Sequence, residues 1–282
     1  MPLPEVPLRD DFPPTDRIAV RAEHVRKKFG DKVVLEDVNL DVYEGETLVI
    51  LGGSGSGKST LLRLMTGAIA ATDGMVKVHG DDVCSMSSAD RDDYRKTIGV
   101  LFQSGALFNS MSVADNVALP LREHTDLPEE NIDIIVKIKL ELVNMRHAGH
   151  LLPSEISGGM KKRAGLARAL ALDPRILFYD EPSAGLDPVT STEIDELIID
   201  LNQRLGVTSV IVTHEMDSAF RIAHRMVLLD QGKFITSGRP IEFRDSTDPL
   251  VRQFVHGLAE GPLTERRRGG EYERDLLEGA GV

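Results

Sequence analysis

Lys58 and Ser59 are the side chains of this sequence best placed to handle a phosphate. They close the run Gly52-Gly53-Ser54-Gly55-Ser56-Gly57-Lys58-Ser59-Thr60. The run follows Thr47 to Leu51, which reads as a buried strand, and precedes Leu61 to Met65, which reads as a helix. A glycine loop between strand and helix, ending in Lys-Ser, is a P-loop in its required context. Its glycines let successive N–H groups turn toward one anion. The helix N-terminus adds positive potential. Lys58 brings a full charge to the β- and γ-phosphates, and the Ser59 hydroxyl suits Mg²⁺. A flexible Gly/Ser linker would not sit between a strand and an amphipathic helix.

Three further polar groups stand at the ends of apolar runs. Ile176 to Tyr179 ends in Asp180-Glu181-Pro182. Carboxylates directly after a core strand are costly unless paired or metal-bound. Asp180 can hold Mg²⁺ through water, and Glu181 can orient or deprotonate the attacking water. Ser209 to Val212 ends in Thr213-His214-Glu215. A lone histidine is usually structural, but repeated polar groups after core strands favour a site role for His214. Ile98 to Phe102 ends on Gln103, where a ligand contact lies in an open α/β sheet.

These groups need strands and helices to carry them. Ile18 to Phe29 and Val33 to Val42 read as strands ahead of the P-loop strand, forming a small antiparallel sheet beside the main one. Phe29, at the end of the first, suits stacking on adenine and suits a core position nearly as well. Met75 to Val78 is a short strand, and Ser87 or Ser88 caps a helix to about Lys96. Ser112 to Val143 reads as helical, interrupted by Pro120 and Pro128; it lies between core strands, so it is an inserted helical subdomain. Ser157 caps a helix from Gly158 to Leu172 with Lys161, Lys162 and Arg163 in its first turns. Basic residues there oppose the helix dipole, a penalty best tolerated where an anion will sit. Pro188 opens a helix ending near Gly206, Arg225 to Asp230 pairs with Lys233 to Gly238, and Asp248 to Gly257 is amphipathic.

Composition narrows the function classes. The chain has 282 residues, of which 41% are hydrophobic and 28% charged, values of an ordinary globular protein. A net charge of −12 argues against a general nucleic-acid or anionic-membrane binder. The single cysteine, Cys84, excludes an internal disulfide framework and fits a reducing compartment. No apolar run approaches the roughly 20 residues that span a bilayer, and no signal peptide is visible. The expectation is a cytoplasmic chain whose membrane role comes through a partner. Residues 1–16 read as a loose proline-rich tail and 258–282 as a charged, glycine-rich extension. Tyr272, Leu276 and Leu277 are spaced to dock one face of that extension.

Taken in order, Gly52 to Thr60, Gln103, Ile156 to Met160, Ile176 to Glu181, Ser183 to Asp187 and His214 resemble an ABC-transporter ATPase cassette over about Arg17 to Gly257. They match its Walker A, Q-loop, signature, Walker B, D-loop and switch-histidine elements. The resemblance implies an α/β P-loop fold with a RecA-like, mainly parallel sheet, an antiparallel β subdomain and a helical subdomain at about 105–165. It implies ATP as ligand, Mg²⁺ on Ser59, Asp180 and Gln103, and catalysis by Glu181, His214 and Gln103. It also implies a homodimer in which Ser157, Gly158 and Gly159 meet the partner's γ-phosphate and Asp187 lies at the D-loop.

Narrower segments are similar to the ATPase subunit of MCE-type (Mla-like) phospholipid transporters: Leu101 to Phe108, Leu119 to Thr125, Ser157 to Ala169 and Arg252 to Leu258. Met160 stands where the usual signature has Gln, and this departure looks like the lipid-transport branch. That likeness implies an integral-membrane permease, an MCE protein and a small STAS-domain subunit as partners, at the inner face of the cytoplasmic membrane. An importer or exporter for another solute is the alternative reading. A soluble ATPase acting on nucleic acid is remote, given a single cassette and the acidic balance.

Overall fold

The computed structural model describes residues 8, 9, 11 and 15–264. In chain order the elements are β1 (Ile18–Phe29), β2 (Lys32–Tyr43), β3 (Thr47–Leu51), α1 (Lys58–Met65), β4 (Asp73–Val78), β5 (Asp81–Asp82), α2 (Ser88–Lys96) and β6 (Ile98–Leu101). There follow α3 (Val113–His124), α4 (Glu129–Leu142), α5 (Gly158–Ala169), β7 (Ile176–Asp180), α6 (Pro188–Leu205) and β8 (Thr208–Thr213). The chain continues with α7 (Met216–Ile222), β9 (Arg225–Asp230), β10 (Lys233–Gly238), α8 (Pro240–Arg244) and α9 (Pro249–His256).

Two sheets form. One is antiparallel, in the order β2-β1-β4-β5; the other runs β10-β9-β3-β8-β7-β6. Within the second, β6, β7, β8, β3 and β9 are parallel and only β10 is antiparallel. The α/β, mainly parallel architecture that the family resemblance implies is the one observed. β3 shows why its sequence is apolar throughout. Leu48 and Ile50 face a core shared with the antiparallel sheet and α1, whereas Val49 and Leu51 face a core built by α3 to α7. A strand covered on both faces has no solvent side to signal by alternation.

Pro120 does not interrupt α3, contrary to expectation; the helix runs through it. A proline removes one backbone bond, and buried Val117, Ala118 and Leu121 keep that stretch packed on the core. Pro128 does act as a boundary, as the cap position of α4. α3 and α4 pack on each other and on α5. The N-terminal stretch is not loose where it is described. The Arg9 guanidinium donates to Asn202 Oδ1 at 2.9 Å and Thr47 Oγ1 at 3.3 Å, and Leu8 packs on the core. Residues 265–282, including Tyr272, Leu276 and Leu277, lie outside the described residues. Among the described residues no helix is long and apolar enough to cross a membrane.

Candidate active site

Strand register gathers the polar groups. Leu51 pairs with Thr213, Val212 with Asp180, and Tyr179 with Leu101. Parallel pairing therefore brings the P-loop, Asp180-Glu181, Thr213-His214 and the turn holding Gln103 to one edge, the C-terminal edge of the sheet.

At the P-loop, close packing demands glycine at Gly52. A Cβ there would lie 2.3 Å from Leu229 O and 2.5 Å from Ser56 Oγ. Gly57 precedes α1 at φ 111°, in the left-handed region. The β9–β10 turn braces the loop through Gly232 N–H, which donates to Ser56 O at 3.0 Å. Lys58 is buried, and its Nζ donates to Gly52 O at 2.7 Å and Gly53 O at 3.1 Å. Burial lowers its pKa, opposed by Glu181 and Asp180. A cleft of about 430 Å³ is lined by Gly55 to Thr60 together with Lys32, Val33, Val34 and Gln231. The last four have no sequence motif. Phe29 is half exposed at the end of β1, paired with Lys32 across the turn, and Lys27 Nζ lies 4.9 Å from its ring centroid.

Ser59 Oγ donates to Asp180 Oδ1 at 3.4 Å. Burial raises the Asp180 pKa, and Ser59 opposes the rise. A hydroxyl beside a carboxylate that gains from a cation is a donor set that fits Mg²⁺, whose other ligands are commonly phosphate and water. Gln103 is exposed, two residues beyond β6, and forms no hydrogen bond to Ser59 or Asp180.

Glu181 has φ 50°, a left-handed conformation costing about 1 kcal/mol or more for a non-glycine residue. Its carboxylate accepts from His214 Nδ1 at 2.9 Å, Thr213 Oγ1 at 3.1 Å and His214 N–H at 3.3 Å. Its backbone is held too: N–H donates to Val212 O at 2.9 Å, and its carbonyl accepts from Lys162 Nζ at 2.8 Å. A strained backbone and a carboxylate held on several sides mark Glu181 as a constrained group at the C-terminal edge of the sheet. Sequence patterns assign neither Thr213 nor Lys162 a role beside Glu181; only the fold brings them there.

Ser157 and Gly158 are exposed at the start of α5, where Ser157 Oγ accepts from Met160 N–H at 3.2 Å. Gly159 is buried, and a Cβ on it would lie 2.4 Å from Thr190 Cγ2. Gly158 has no such neighbour, since its Cβ would reach only ordinary contact, 3.6 Å from Leu186. Asp187 is exposed and caps α6, accepting from Val189 N–H and Thr190 N–H, each at 3.1 Å.

A family model described as ABC transporter matches residues 35–184. The chain belongs to the ABC transporter family. This ABC cassette is 44% identical over 251 residues to the intermembrane phospholipid transport system ATP-binding protein MlaF of Escherichia coli K12, spanning 89% of this chain and 93% of that one. It is 42% identical over 246 residues to the probable ribonucleotide transport ATP-binding protein mkl of Mycobacterium leprae, spanning 87% and 71%. A dimeric post-hydrolysis structure of the ATP-binding cassette MJ0796 with ADP and Pi matches at TM-score 0.72 and 30% identity, covering 78% of this chain and 98% of that one. The protein is thus an ATP-hydrolysing cassette.

Two of the three basic residues at the start of the signature helix have partners within the chain. Lys162 is committed to the Glu181 carbonyl, and Arg163 to Glu193 of α6 at 2.9 Å and to Val143 O. Tertiary partners thus answer part of the dipole penalty. Met160 packs partly buried against the main core.

Proposed function

We propose that this cassette is the ATP-driven motor of a transporter moving phospholipid between membranes, working as a homodimer on an integral-membrane permease. The observation that carries the reading is the likeness to MlaF along nearly the whole chain. Gly52 to Thr60 hold the nucleotide phosphates, and Lys58 supplies the charge. Ser59 and Asp180, with Gln103, hold Mg²⁺, which when bound offsets phosphate charge. Glu181 takes the proton of the attacking water, and His214 orients its carboxylate. Ser157, Gly158 and Gly159 cap the γ-phosphate held by the partner subunit, which explains why Gly158 stays open where packing asks for no glycine. Phe29 stacks on adenine, and Asp187 stands at the dimer seam. An MCE protein and a small STAS-domain subunit complete the assembly at the inner face of the cytoplasmic membrane.

A second reading rests on the likeness to mkl: the same motor serving a ribonucleotide permease. Purification of the native complex, its reconstitution in vesicles, and measurement of ATP-dependent transfer of labelled phospholipid test the first reading. Transfer that requires ATP supports it. Labelled ribonucleotide uptake without lipid transfer overturns it in favour of the second.

A further inference from the structure

Lys162 is only 5% exposed, and its ammonium reaches the carbonyl of Glu181 on another element. Burying an ammonium is costly, and packing does not require it: a methionine fills similar space without a charge. Burial pulls the Lys162 pKa down to about 8, while Glu181, Glu215 and Asp180 work to keep it charged. The cost is concentrated on one bond. The Glu181 carbonyl otherwise receives Ala184 N–H at 3.3 Å, a longer turn contact. Without Lys162, the left-handed peptide at Glu181 loses its shorter restraint on the carbonyl side. The carbonyl side is then held only by the longer Ala184 contact, while Val212, Thr213 and His214 still hold the N–H and the carboxylate, so a backbone conformation that non-glycine residues avoid is less firmly kept.

We propose that Lys162 is a positioning residue for ATP hydrolysis, fixing the Glu181 peptide so that its carboxylate points at the attacking water. The proposal rests on the reading of Glu181 as the proton acceptor. Its geometry has a second side. Lys162 belongs to α5, the helix that starts at Ser157. The same helix holds the loop after Gln103, because Arg168 donates to Gly105 O at 3.0 Å and Ala106 O at 2.7 Å. One rigid element therefore grips both the glutamate and the glutamine loop.

The test is a comparison of full-length Lys162→Met, Lys162→Arg, Glu181→Gln and the Met/Gln double variant by ATPase kinetics and ATP titration. Lys162→Met is expected to lower kcat by roughly 10- to 100-fold, the scale of a misplaced catalytic group, with KM and the ATP dissociation constant nearly unchanged. Lys162→Arg, which keeps the charge and the donor, is expected to restore most of the rate. The double variant should be no slower than Glu181→Gln alone, because Lys162 has nothing left to position. A wild-type kcat in Lys162→Met overturns the proposal, as does a loss that multiplies fully onto that of Glu181→Gln. A wild-type rate in Glu181→Gln would instead overturn the reading of Glu181 and the Lys162 proposal with it. If Lys162→Met does not melt as a folded protein, Lys162→Leu, which also lacks a donor, takes its place, with the same two outcomes deciding.

Discussion

Charged and polar side chains gather at both ends of the parallel sheet, and the two ends treat them differently. At the N-terminal end, Glu46 is fully buried and pairs with Arg225 at 2.7 Å. Thr47 N–H donates to buried His224 Nδ1 at 2.9 Å. Asn202 donates to Gly45 O and Val207 O and accepts from Arg9. Each group is answered from within the chain. At the C-terminal end, His214, Gln103, Ser59, Ser157 and Gly158 are exposed, and Lys58 and Ser59 line a cleft. A closed polar network stabilises a fold; an open one serves something that arrives. Residues alike in type are thus separated by where their partners are.

If that division holds, damage at the C-terminal end should remove turnover and spare the fold. Lys58→Ala should abolish hydrolysis and weaken nucleotide binding, because Lys58 is the cation of the phosphate loop. Titration with ATP and a thermal melt check both halves; an unchanged dissociation constant would mean that this loop is not the site. Next in size is Glu181→Gln. It should keep ATP binding, lose hydrolysis by roughly 10²–10⁴-fold, and accumulate a closed dimer visible by sedimentation. Near-normal turnover would remove Glu181 from its role.

Ser157→Arg divides the open end further. Ser157 contacts no group of the P-loop cleft within its own subunit; its hydroxyl accepts from Met160 N–H. A subunit carrying Arg there should bind ATP normally on its own P-loop. Mixed with wild-type subunits, it should lower activity without altering single-subunit affinity, since the larger side chain fills the space where the partner's phosphate would sit. Activity of mixtures that stays proportional to the wild-type fraction, with no dominance, would argue that the helix N-terminus meets no partner nucleotide.

The open end was largely legible in the sequence, and the closed end largely was not. Glycines, Lys-Ser, Asp-Glu and His at the ends of apolar runs are local signals, and each sits within a few residues of the strand that positions it. Arg9 meets Asn202 across 193 residues, and Asp11 meets His224 across 213. No local pattern announces such pairs, so the stretch containing Arg9 read as a loose tail. Lys162 misled for the same reason: its own helix suggested an anion, while its partner came from the end of β7. α7 escaped notice because seven residues are too few for helical periodicity to stand out, and a helix that short depends on tertiary packing, here of buried Ala219, Phe220 and Ile222.

The smallest effect on turnover, and the one that tests the closed end, comes from His224. Its Nδ1 accepts from Thr47 N–H, so in the neutral ring Nε2 carries the proton and faces Asp11 Oδ1 at 3.2 Å. Burial, then Arg9, pulls the His224 pKa from 6.5 down to about 4, and Asp11 only partly opposes them. The neutral form is therefore the folded form. The unfolded chain takes up a proton near pH 6.5, whereas the folded chain does so only near pH 4. Stability from this group is complete above the unfolded value and drains away as pH falls between the two. Lowering the pH from 7.5 to 5 should cost about 2 kcal/mol through this residue alone. His224→Gln, which keeps an acceptor for Thr47 but cannot titrate, should lose that share of the slope in denaturant unfolding. Its turnover at pH 7.5 should stay near wild type, because His224 lies at the sheet end away from Lys58 and Glu181. An equal pH slope in the variant would remove His224 as the source. A large fall in turnover without loss of stability would break the division between the two ends of the sheet.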